Sequence, residues 1–308
     1  MEPAPQGAAA WLPLPPFAAA PPPAAARLPG SYWSGVWRRF RADRAAVAGL
    51  AGLLLIMLLC VCGPWLTPWH FDQIHLSAEN LPPGAAHWFG TDRLGRDIFA
   101  RTWMGGRVSL LVGVTAAAID LGIGAVYGAV AGLGGPLLDA VLMRVVDTLY
   151  GIPFLLVAIL LLTVVGPGLR AIVLAIALVN WLGMARLVRG QVLQLRGEPY
   201  VLAARGLGLP PWRVALRHLL PNALGPMLVW LSFNVPSAIF LEAFLSYLGL
   251  GIQPPLASWG SLISSATETF RLFPYPLLFP AAALSGAMLA FYAVSDGLRD
   301  ALDPRPRR

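Results

Sequence analysis

Lysine is absent from all 308 residues, although the chain carries 22 basic and 15 acidic side chains for a formal charge of +7. That absence excludes a P-loop nucleotidase, whose motif needs a lysine on the β/γ-phosphates. It also excludes a lysine Schiff-base enzyme. Charge of either sign is scarce: 12% of residues are charged, against about 25% in a soluble domain. With 57% hydrophobic residues and a mean hydropathy of +0.67, an ordinary cytosolic enzyme is excluded as well. Cysteine is reduced to Cys60 and Cys62, both inside an apolar run. Two residues apart on a helix they point in different directions, so both read as small hydrophobes. With four scattered histidines and no further thiol, no structural metal site has a ligand set.

What is present is long stretches of apolar sequence. Residues 45–63 hold no charge over 19 positions, about 28 Å of helix against a hydrocarbon core of about 30 Å. Further runs occupy about 108–132, 141–165, 169–187, 223–245 and 276–294, predicting six transmembrane helices in an all-α integral membrane protein. Residues 1–30 are rich in proline and alanine and lack the basic start and apolar core of a secretory signal. They read as a disordered tail. If residues 1–44 are cytoplasmic, 16 arginines fall on that side and six on the other. The positive-inside rule then puts both termini in the cytoplasm, and the basic balance marks topology and membrane lipid rather than nucleic acid.

Two hydrophilic stretches interrupt this pattern, an outer one over about 64–106 and an inner one over about 188–221. In the inner one, Pro199 suits a first helical turn and Gly206 and Gly208 end that helix. Pro210-Pro211 open a second, with Trp212, Leu216, Leu219 and Leu220 as an apolar stripe and Arg213 and Arg217 on the other face. Two short amphipathic helices of this kind either lie on anionic lipid or dock into a partner's groove. The residue between them needs a positive φ or a close backbone approach, which makes Gly208 sensitive to a β-branched side chain and Gly132, at a helix end, less so.

The spacing of Ala203-Ala204, then Gly208, then Leu220-Pro221 twelve positions on resembles the EAA loop of ABC importer permeases. The family's usual glutamate before the alanine pair is Leu202 here, and its usual isoleucine before the Leu-Pro is His218. HWFGTDRLGRDIFARTWMGGRVSL (87–110) and EAFLSYLGLGIQPPLASWG (242–260) resemble the branch that carries dipeptides, oligopeptides and nickel, as does GLRDALDP (297–304). This resemblance implies the type I importer permease fold and a second-type permease subunit with an extra N-terminal membrane segment. It implies an N-terminal segment over 31–106, a transport domain over 107–297 with its EAA-like loop at 198–221, and a cytoplasmic tail over 298–308. It further implies a homologous permease mate, two ATPase subunits that bind ATP and magnesium in this chain's stead, and an extracytoplasmic solute-binding protein. The chain would be no enzyme but half of a peptide importer's path in the inner membrane. Nickel, glutathione and peptide-like compounds are alternative cargoes within the same family.

Ala203, Ala204, Arg205, Gly208, Trp212, Arg213, Arg217, Leu220 and Pro221 are the coupling residues that the resemblance marks. Asp92, Arg93, Arg96 and Asp97 lie in a glycine-punctuated outer turn, where they either pair with one another or meet the binding protein or permease mate. Arg144 and Asp147, three apart, suit self-pairing. Asp120 and Glu242 are carboxylates inside apolar runs without a local partner, and so line a path or pack a subunit. Asn180 and Asn234 suit hydrogen bonding between helices more than substrate contact. Trp259 reads most plainly as a residue at the lipid interface. A self-sufficient secondary transporter would need coupling-ion carboxylates and, usually, internal repeats. A membrane enzyme would need a convergent cluster, whereas His70, His75, His87 and His218 are split between opposite sides.

Overall fold

The computed structural model describes residues 32–303, so the expectation of a disordered tail at 1–30 lies outside the described residues. The chain opens with α1 (Tyr32–Ala42), an amphipathic helix too polar and short for a hydropathy search to find. Asp43 ends it and caps α2 (Arg44–Cys62) by accepting from the amides of Ala45 and Ala46. α1 lies against the end of the last helix, α10 (Tyr275–Leu302), through Val36, Phe40, Ala301 and Leu302. The Arg39 Nε donates to the Ala301 carbonyl at 2.7 Å. Both ends of the described chain therefore sit at one end of the bundle. The 64–97 segment packs at the other, where Phe89 stacks on Phe279 at 3.9 Å and the Tyr275 hydroxyl donates to the Asn80 carbonyl.

Among the described residues, five helices are long and apolar enough to cross a bilayer, and a bent pair brings the number to six. The second spanning helix, α3 (Ile98–Leu133), begins ten residues before the apolar run at 108. Asp97 caps it, accepting from the Ala100 amide at 2.8 Å, so residues 98–106 belong to the helix and not to the outer loop. The third run is not one helix. It divides into α4 (Gly135–Tyr150) and α5 (Phe154–Val165), bent by 78°. Pro153 has no N–H to donate and pushes Ile152 out of the helical region, which breaks the run at Gly151-Ile152-Pro153.

The fourth spanning helix, α6 (Leu169–Leu195), extends eight residues past the end predicted from hydropathy. Its basic inner end is stabilised by ion pairs to α4. Arg189 donates to both Asp139 oxygens at 2.5 and 2.6 Å, and Arg186 to Asp147 at 2.8 Å. Asp147 therefore pairs across helices, which corrects the expected self-pairing with Arg144, an exposed residue. α3 packs on α6 through Gly124, Gly128 and Gly132. A Cβ on Gly124 would stand 2.7 Å from Met184 and one on Gly132 2.6 Å from Val192, the close small-residue approach common between membrane helices.

After α7 (Pro199–Gly206), the helix opened by Pro211 does not end at residue 220. It runs on as α8 (Pro211–Tyr247), with a π-helical stretch over Ala215–Leu219. The widened turn stands where Pro221 cannot bond to the Arg217 carbonyl and where its ring would otherwise strike it. The chain then folds back as α9 (Trp259–Thr267), capped by Ser258 and Ser261, before α10. Trp259 is fully buried, and its Nε1 donates to the Thr102 carbonyl at 3.0 Å. It is a core residue joining α9 to α3, which corrects the lipid-interface reading. Cys60 is buried and unpaired.

Candidate functional site

α8 is 37 residues long, about 55 Å at about 1.5 Å per residue, longer than a hydrocarbon core of about 30 Å, and the arginines of its first turns mark the Pro211 end as its polar one. There α7 and the start of α8 pack as a unit on the inner end of α6. Val201, Val214 and Leu219 meet Val188 and Val192, all of them fully buried. Ala204 is buried with them, Leu220 is half-buried, and Ala203, Arg205, Arg213, Arg217 and Pro221 are exposed. The expected apolar stripe splits. Leu219 turns inward, whereas Trp212 and Leu216 are 58% and 62% exposed, because the π turn shifts the register between them. Leu202 and Leu207, the latter 82% exposed, are further apolar side chains left exposed on this unit, which also exposes Arg205, Arg213 and Arg217. The Arg213 guanidinium lies over the Trp212 ring at 5.0 Å. Gly208 holds this turn at φ +80°, with nothing within 4 Å of where a Cβ would be, so its requirement is conformational rather than steric.

Of Asp120, Asn180, Asn234 and Glu242, the first three meet. Asp120 is fully buried at the start of a π-helical stretch (Asp120–Gly124) in α3. It accepts from the Asn180 Nδ2 at 3.4 Å and from the Asn234 Nδ2. Asn180 sits where α6 is interrupted, and Asn234 two residues before Pro236 in α8. The cluster thus joins three spans at local breaks. Glu242 stands apart. Its two oxygens accept from Ser109 of α3 at 2.8 Å and Ser246 of α8 at 2.7 Å. Those hydroxyls in turn accept from the amides of Trp259 and Ile252.

In the outer turn, Asp92 accepts from the Arg96 Nε at 2.8 Å and lies 3.6 Å from the Arg101 Nε. Arg93 pairs with Glu268 near α9. Asp97, besides capping α3, accepts from the His87 Nδ1 at 2.8 Å. Sequence reasoning passed over Arg101 and Glu268, and it weighed His87 without its link to Asp97. Arg101 was legible as a charge four residues after the Asp97 cap, one turn into a helix. Nothing local marks Glu268, which is 175 residues from its partner.

The described residues thus form a multi-pass, all-α membrane fold with an exposed amphipathic turn at one end. Residues 124–308 match the family model described as "Binding-protein-dependent transport system inner membrane component". Residues 31–83 match "N-terminal TM domain of oligopeptide transport permease C". The dipeptide transport system permease protein DppC of Bacillus subtilis is 49% identical over 284 residues, covering 90% of this chain and 87% of the relative. The oligopeptide transport system permease protein OppC of the same organism is 45% identical, covering 90% and 91%. Among solved structures, the MetNI methionine ABC transporter in inward facing conformations aligns with a TM-score of 0.52 at 17% identity. That alignment covers 65% of this chain and 97% of the other, and it shows the shared type I importer fold. The chain belongs to the ABC importer permease family, whose members are membrane transport subunits rather than catalysts.

Proposed function

We propose that this chain is the second-type permease of a binding-protein-dependent peptide importer. It forms half of the translocation path with a homologous mate and receives the ATPase cycle through residues 198–221. The identity to dipeptide and oligopeptide permeases along nine-tenths of the chain supports the peptide assignment. The observation that carries the coupling role is the exposed face of Leu202, Leu207, Trp212 and Leu216 beside Arg205, Arg213 and Arg217. This face is built on a docked helical unit at the polar end of α8. An apolar surface edged with cations fits a helix-in-groove contact, here with the ATPase subunits that bind ATP and magnesium. The arginine excess supports placing this face and both termini in the cytoplasm. The turn at Asp92–Asp97 then faces the solute-binding protein. The oxygens of Asp120 and Glu242 are engaged within the chain, which supports packing over substrate contact for Asp120, Asn180, Asn234 and Glu242. Alternating access requires the ATPases to bind the two states of the permease with different affinity.

A photocrosslinker in place of Leu207, in the assembled complex, tests the coupling role. A crosslink to the ATPase that changes in yield with nucleotide is expected. A crosslink to lipid alone, in every nucleotide state, would reduce residues 198–221 to a membrane-surface segment.

A further inference from the structure

At the outer end of the bundle, two cavities of about 290 and 230 Å³ share the side chains of Arg93, Arg96, Arg101 and Ser265 in their walls. Arg93 is neutralised at the rim by Glu268. Deeper in, the side chains of Arg96 and Arg101 are 13% and 5% exposed and face one carboxylate between them, that of Asp92. The single side-chain hydrogen bond of Arg96 leaves through Nε to Asp92. Arg101 donates through Nη1 to the Phe71 carbonyl at 3.1 Å, and its buried Nε has no hydrogen-bond partner. Both Nη groups of Arg96 and one of Arg101 thus remain without a protein acceptor. The walls of the two cavities set three arginines against the carboxylates of Asp92 and Glu268, with Asp72 acting on Arg101 from outside the lining and Asp97 capping α3 beside it.

Buried guanidinium donors left without an acceptor are costly unless a bound group comes to meet them. Paired guanidinium groups with open Nη donors suit a carboxylate, which they can hold through parallel hydrogen bonds. The remaining wall is apolar, from Leu262, Pro276 and Pro280 on one side and Leu256 on the other. Each volume lies below the range for drug-sized ligand sites, about 300–1,000 Å³, which fits only the end of a short chain and not a larger ligand or a folded surface. We infer that this pocket binds a free carboxylate at the end of a short peptide, held by Arg96 and Arg101 at the outer end of the bundle. The inference rests on the peptide-import reading and adds to it a preference for a free C-terminus at the permease itself.

The test uses the permease pair and ATPases assembled in lipid nanodiscs without binding protein, and saturation-transfer NMR with millimolar alanyl-alanine or its C-terminal amide. The free acid is expected to give a signal several-fold above the amide. Arg96→Gln and Arg101→Gln are each expected to bring the acid down to the level of the amide, and Arg96→Lys to restore part of it. Co-purification of the ATPases reports assembly of each variant, and the comparison of acid with amide needs no variant at all. Equal signals from acid and amide would overturn the inference. So would the absence of a dipeptide signal together with weaker docking of ligand-free binding protein on Arg96→Gln, which would assign the pocket to an acidic side chain of that protein. Peptide uptake by the wild-type complex with its binding protein separates the two readings. Uptake with no acid-specific signal sinks this inference alone, and failure to take up any peptide sinks the import reading beneath it.

Discussion

Glu242 shows how much one buried side chain can organise. Its oxygens join α3 to α8 through Ser109 and Ser246, and the same hydroxyls anchor the backbone of Ile252 and Trp259. The returning segment before α9 is thereby tied to two spans. Glu242→Ala would leave two buried hydroxyls short of an acceptor, at about 1–3 kcal/mol each. The purified complex is expected to melt at a clearly lower temperature, with Glu242→Gln losing less because it keeps an acceptor oxygen. An unchanged melting curve for Glu242→Ala would show that the network does not stabilise the fold. In sequence, Glu242 was visible only as a carboxylate out of place. Its partners are a serine 133 residues earlier and another four residues later, and the distant one has no local signature.

The turn between α7 and α8 was the most legible element, because proline and glycine act on the backbone locally. Pro199 and Pro211 open the two helices, and Gly208 takes the positive φ that its position demanded. A valine there is expected to cost about 1 kcal/mol or more in backbone strain. Gly208→Val should therefore leave membrane insertion and assembly intact while peptide-stimulated ATP hydrolysis falls sharply. Gly132 proves unsuitable as the neutral comparison, since a side chain there would run into Val192. Gly190→Ala, with nothing within 4 Å of its Cβ, is the proper control and is expected to behave as wild type. Near-normal stimulated hydrolysis by Gly208→Val would remove the coupling role from this turn. The continuity of α8 was less legible. Hydropathy separates the polar 211–220 stretch from the span that follows, and only the π turn before Pro221 lets a single helix carry both. The bend in the third run was hidden for the opposite reason. Apolar side chains continue through Gly151-Ile152-Pro153, so hydropathy is blind to a break that proline imposes on the backbone.

Six crossings, with the bent pair as one, return the described chain to the end where it began, as the contact of α1 with α10 requires. The count of spans and their order were readable from hydropathy, whereas which spans touch was not. That depended on the glycine face of α3 and on ion pairs between α4 and α6. With Cys60 and Cys62 replaced by alanine, a cysteine at Glu79 is expected to react with an impermeant reagent in intact cells and one at Asp303 to be protected. The reverse pattern would invert the orientation. The most direct measurement of function is ATP-dependent uptake of a labelled peptide into proteoliposomes holding this permease, its mate and the ATPases, with the binding protein outside. Uptake that requires ATP, the binding protein and this chain together is expected. Uptake that persists without ATP and the binding protein, driven by an ion gradient alone, would contradict the assignment.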